Sequence, residues 1–130
     1  MKIIVGYVPT PEGQLALTRA IVEAQAHQAE LLVINASHGD RYVDPHFAAE
    51  GQLDQIRREL DDSGISYEIR HPVRGMDAAD ELARAARNEE DVEMVVIGLR
   101  HRSAVGKFLL GSTSQQILLH APCPVLAVKT

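Results

Sequence analysis

The chain has one cysteine in 130 residues. A single thiol cannot close an internal bridge, so Cys123 fits a reducing compartment and a disulfide-stapled scaffold is excluded. The same scarcity excludes cysteine-rich zinc frameworks. No apolar run approaches the about 20 residues of a membrane-spanning helix, and a polar Lys2 sits in the first strand-like run. Neither a membrane span nor a signal peptide is therefore expected. Basic charge is also short: 13 Lys and Arg against 18 Asp and Glu leave −5 with His neutral, which argues against nucleic acid as the main partner. These absences point to a cytoplasmic protein. The length suits one domain spanning residues 1–130. A chain of this size buries about two-thirds of its unfolded surface, enough to fold without disulfide or metal.

The apolar residues that are present settle the architecture. Ile3-Ile4-Val5, Leu31-Leu32-Val33-Ile34, Met94-Val95-Val96-Ile97 and Val125-Leu126-Ala127-Val128 are short and continuous. Continuity implies burial on both faces, as in a parallel sheet covered by helices. A fifth run differs, because Ile65, Tyr67 and Ile69 alternate with Ser66, Glu68 and Arg70. Alternation puts one face in water and the strand at a sheet edge.

Helical patterns fill the intervals. Leu17, Ala20, Ile21 and Ala24 share a face after Pro11, and Leu53, Ile56 and Leu60 share another. The latter ends at Asp61-Asp62-Ser63-Gly64, where Gly64 can take the left-handed terminating position. Ala78, Ala79, Leu82 and Ala86 form a third face, with Gly75 and Asp77 at its start. Ile117 and Leu118 belong to a fourth helix that starts near Gly111-Ser112 and is ended by Pro122. Strand starts recur about every 30 residues, the length of a βαβ unit. Right-handed crossovers then require an α/β fold, an open doubly wound five-stranded parallel sheet. The irregular stretch from about Ser37 to Pro45 falls at the carboxyl edge, where such folds bind ligands. The last strand should be the opposite edge. Its continuous apolar ladder is an aggregation hazard that pairing between two copies would remove.

Chemistry concentrates between Gly98 and Ser114. This segment leaves the fourth strand at Gly98 and enters a helix at Gly111-Ser112. Glycine lets a ligand approach the backbone, and the helix start offers free N–H groups and the positive dipole end to an anion. Ser112, Thr113 and Ser114 add hydroxyls, and Arg100, Arg102 and Lys107 make the segment basic within an acidic chain. A phosphate suits such a site, although Ser112 could equally cap its helix with no ligand. The segment is no P-loop: seven residues separate Gly98 from Gly106-Lys107, and Phe108 stands where Ser or Thr is required.

Over essentially its full length the chain resembles the universal stress proteins. Their signature is Gly, two residues, Gly, nine residues, Gly, then Ser or Thr. Gly98, Gly111 and Ser112 fit it at the correct spacing, and His120-Ala121-Pro122-Cys123-Pro124-Val125-Leu126 looks like the family's last helix-to-strand turn. The resemblance implies a Rossmann-like fold of the adenine nucleotide alpha hydrolase-like type. It also implies a stress-response regulatory role and a pocket for an adenine nucleotide, expected to be ATP with or without Mg2+. By the same likeness Gly111, Ser112 and Ser114, joined by Thr113, would contact phosphates. Gly98 and Arg100 would lie near the ribose, and Tyr7, Val8 and Ile34 would line the base. A homodimer through the C-terminal strand, about residues 124–129, is implied as well.

Two positions depart from the family pattern. His101 replaces the second signature glycine, where it could crowd the phosphates or donate a hydrogen bond to them. Val8 stands where the family usually has Asp. These departures leave open a nucleotide-free member that acts through dimerisation and protein partners. Turnover beyond slow ATP hydrolysis is not expected, because Pro9-Thr10-Pro11-Glu12-Gly13 offers no nest of backbone donors of the kind ATP-activating enzymes carry. The six His residues show no HExxH-type pairing, so no metal site is expected. Cys123, between two prolines, reads as a buried structural thiol.

Overall fold

Short apolar runs separated by amphipathic segments give nine elements in strict alternation among the described residues. They are β1 (Lys2–Tyr7), α1 (Pro11–His27), β2 (Glu30–Asn35), α2 (Pro45–Ser63), β3 (Tyr67–Arg70), α3 (Ala78–Asn88), β4 (Val92–Leu99), α4 (Ser112–His120) and β5 (Val125–Lys129). The structure, a computed structural model, describes residues 1–35, 45–71, 78–99 and 112–129, with backbone alone at 45–50, 78, 112 and 113. The expected starting residues of α3, Gly75 and Asp77, and the stretch from Ser37 up to Asp44 lie outside the described residues.

All four strand pairings are parallel, and the order across the sheet is β3-β2-β1-β4-β5. Successive residues of β1 face opposite sides, and both sides are covered. Ile3, Val5 and Tyr7 join Ala16, Leu17, Ala20 and Ala24 of α1 and Ile56 and Leu60 of α2 in one core. Ile4, with Leu32 and Ile34 of β2, joins Leu82, Ala85 and Ala86 of α3 and Ile117 of α4 in the other. This double coverage is the physical reason for the uninterrupted apolar runs of β1 and β2.

Local signals place the helix ends. Thr10 is extended (φ −136, ψ 164) and its Oγ1 accepts the Gly13 N–H at 3.1 Å, while Pro11 occupies the first helical turn. A hydroxyl N-cap followed by proline is the expected start of a helix. Gly64 takes φ 75 after α2, as expected from the sequence, and Gln28, which the sequence did not mark, closes α1 in the left-handed region at φ 53. No helix of the described residues is long and apolar enough to cross a membrane.

Both edges fall where the patterning puts them. β3 begins at Tyr67, two residues later than the Ile65 alternation suggests, because Ile65 is still leaving the Gly64 turn; Ser66 already receives the Leu31 N–H at 2.9 Å. Tyr67 and Ile69 pack on the α1/α2 core, and Arg70 instead reaches Glu89 at 2.8 Å. At the other edge, Val125, Leu126, Ala127 and Val128 are only partly buried within one chain. Leu118, expected simply as a helix residue, is 41% exposed, whereas Ile117 is 2% exposed.

Candidate functional site at the carboxyl edge

The sheet order defines a crevice. From β1 the chain turns into α1 and travels toward β2, while from β4 it turns into α4 and travels toward β5. β1 and β4 are neighbours, so their connections leave in opposite directions between them. That divergence is the topological switch point at which open α/β sheets bind ligands.

Its α1 side is built by close backbone approach. The Thr10 N–H donates to the Val8 carbonyl at 2.8 Å, making a tight exit from β1. A Cβ on Gly13 would lie 1.9 Å from that carbonyl oxygen, so only glycine lets the first turn of α1 fold down on Val8. A Cβ on Gly98 would lie 2.1 Å from the Glu12 carbonyl oxygen and 3.1 Å from the Glu12 Cβ. Sequence alone assigns Gly98 to ligand approach; the structure adds that α1 itself closes one side of this glycine. Gly13 and Glu12 were not among the expected site residues. Their signal was present in Thr10-Pro11, the capping pair that puts both in the first helical turn at this edge.

The other expected residues divide as follows. Val8 is partly exposed directly after β1, and Gly98 is partly exposed near the end of β4. Tyr7 is 6% exposed and Ile34 is fully buried, and they sit in the two different cores on opposite faces of the sheet. What β1 and β2 bring to the edge at these two positions is therefore backbone. Burial, followed by the Glu59 charge, raises the Tyr7 phenol above its ordinary value. Ser112 and Thr113 are the first residues of α4, and Ser114 is partly exposed in its first turn. Arg100, His101 and Gly111 lie outside the described residues.

The arrangement can hold an anion at α4, because the first N–H groups of any helix lack intrahelical partners and three hydroxyl-bearing residues begin this one. α1 is different: Thr10 already occupies its N-terminal donor at Gly13. No group of three or more His, Cys, Asp or Glu among the described residues could hold a metal ion. Cys123 is partly rather than fully buried, and this burial raises its thiol above the ordinary value, which disfavours the nucleophilic thiolate.

The fold is a Rossmann-like, doubly wound α/β sheet with a crevice at the carboxyl ends of β1 and β4. The model of the universal stress protein family matches residues 1–129, and the chain belongs to that family. A universal stress protein of Mycolicibacterium smegmatis is 50% identical over 127 residues, covering 98% of this chain and 96% of the relative. The solved universal stress protein of Archaeoglobus fulgidus has a TM-score of 0.80 and 26% identity, covering 99% of this chain and 98% of its own. The fold is shared by the A. fulgidus protein in complex with dAMP, with TM-score 0.73, 23% identity and coverages of 99% and 98%. It is also shared by a universal stress protein in complex with cAMP, with TM-score 0.72, 22% identity and coverages of 100% and 97%.

Proposed function

We propose that this protein is a stress-response regulatory module that binds an adenine nucleotide, ATP first among them, at the carboxyl edge between β1 and β4. The observation that carries the reading is the switch-point crevice at the end of β4, the strand whose next helix starts with Ser112-Thr113-Ser114. That donor set suits a phosphate chemically, and the partly exposed Gly98 leaves backbone open at the crevice. Structures of the same fold in complex with dAMP and cAMP support an adenine nucleotide as the ligand class. In this reading Gly111, Ser112, Thr113 and Ser114 meet phosphates, with Arg100 and His101 adding positive charge or a hydrogen bond. Val8 and the backbone of Tyr7 and Ile34 border the base.

Denaturing the purified protein and chromatographing what it releases tests this directly: adenine nucleotide is expected in the supernatant. Saturating ATP with Mg2+ should raise the melting temperature by several degrees, since 100-fold excess over Kd adds about 2.7 kcal/mol. No released nucleotide together with no thermal shift would overturn the reading.

A second reading rests on Val8, whose apolar side chain is partly exposed at the crevice. It is a nucleotide-free module working through dimerisation and protein partners. It expects no ATP binding by the native chain, and a gain of binding in His101→Gly. Both readings include a homodimer through β5, supported by the partly exposed apolar ladder Val125–Val128 at an open edge.

A further inference from the structure

We infer, resting on the nucleotide reading above, that Glu12 supplies the carboxylate that reads the sugar of the bound nucleotide and distinguishes ribose from deoxyribose.

At Gly98 the position a Cβ would take is filled by α1: the Glu12 carbonyl oxygen lies 2.1 Å from it and the Glu12 Cβ 3.1 Å. Glu12 therefore leaves the backbone immediately beside Gly98, in the first turn of α1 at the carboxyl edge, and its carboxylate hangs three bonds beyond that Cβ. The side chain is half-buried, and no hydrogen bond or ion pair joins it to the described residues. Another acidic side chain beside the start of α1 is committed: Glu59 accepts from Gln14 and Thr18. Glu12 thus stands at the crevice without a partner among the described residues.

Charge decides which part of a nucleotide it meets. A carboxylate repels phosphates, and the phosphate-suited group, α4, follows β4 rather than β1. A nucleotide with its phosphates at Ser112–Ser114 carries its sugar back along the edge toward Gly98. There an acidic side chain accepts hydrogen bonds from vicinal hydroxyls, as acidic residues do for ribose in doubly wound folds. A first-turn Glu is also favoured by the helix dipole alone, so the experiment must separate the two roles.

Calorimetric titration of ATP and 2′-deoxy-ATP into the native chain, Glu12→Gln and Glu12→Ala does so, with thermal melts confirming folding. The native chain should prefer ATP over 2′-deoxy-ATP by about tenfold, the effect of one charge-assisted hydrogen bond. Both variants should lose that preference by weakening for ATP more than for 2′-deoxy-ATP, which offers the carboxylate only its 3′-hydroxyl. A preference unchanged by the substitutions overturns the assignment and leaves the nucleotide reading standing. So does a change in discrimination between ATP and GTP alone, which would place Glu12 at the base. If the native chain binds no nucleotide, the functional reading falls and takes this inference with it.

Discussion

Three glycines with the same side chain have three different roles, and the surrounding atoms decide which. Gly51, exposed on α2, has nothing within 4 Å of the place an added methyl would take, so Gly51→Ala should gain about 0.5–1 kcal/mol through helix propensity. Gly13 also lies in a helix, but its added Cβ would fall 1.9 Å from the Val8 carbonyl oxygen. The sign therefore reverses: Gly13→Ala should lose about 2 kcal/mol or more, because backbone rather than a flexible side chain must move. Urea denaturation of the two variants checks the contrast. The signature spacing marked Gly98, but its neighbour Glu12 was not legible. That contact joins residues far apart in sequence and depends on how steeply α1 leaves β1. Tyr7 and Ile34 were legible as strand-end residues. That their side chains face opposite cores follows only once the register of the pleat is known.

Among the elements, one carboxylate ties three together. Glu89, just past α3, accepts from Lys2 of β1 at 2.9 Å and pairs with Arg70 of β3 at 2.8 Å. The Lys2 hydrogen bond first, and the Arg70 hydrogen bond next, hold the Glu89 carboxyl below its ordinary value. A carboxyl depressed by folding stabilises the protein above its unfolded value, and that contribution disappears as pH falls through the folded value. Glu89→Gln should thus cost about 1 kcal/mol at neutral pH, with the difference closing at acid pH; melting curves across pH 3–7 read it out. Lys2, raised chiefly by the same bond, works in the opposite sense and loses its contribution only as pH rises through its folded value. None of this network was legible in the sequence, since the charges sit at unrelated positions. The elements themselves were. Leu53, Ile56 and Leu60 are all buried on α2, as their spacing requires, because a helix of 19 residues gives its period room to show. α4, with 9 residues, shows little more than one apolar face, and Leu118 beside the buried Ile117 turns outward.

For the whole molecule, the two edges of the order β3-β2-β1-β4-β5 were legible from one alternating strand and from the chain's closing run, whereas the order of the inner strands came from the structure. The consequence is an apolar strand at an open edge, with Val125, Leu126, Ala127 and Val128 partly exposed and Leu119 78% exposed on the adjoining helix. Sedimentation should find a dimer at micromolar concentration, and Leu126→Asp should shift it to monomer; a monomeric native chain would contradict pairing through this edge. The site was legible in part. The sequence placed a hydroxyl-bearing helix start after β4, and α4 begins there, whereas the α1 wall of the crevice required the folded chain. The central claim, that an adenine nucleotide binds between the carboxyl ends of β1 and β4, is tested most directly by titrating ATP into isotope-labelled protein and following backbone amide NMR signals. Saturable shifts are expected at Val8, Glu12, Gly98 and Ser112–Ser114, with Gln25, Gly64 and Ser66 at the amino edge unmoved. Shifts centred on the amino edge, or none at millimolar ATP, would contradict it.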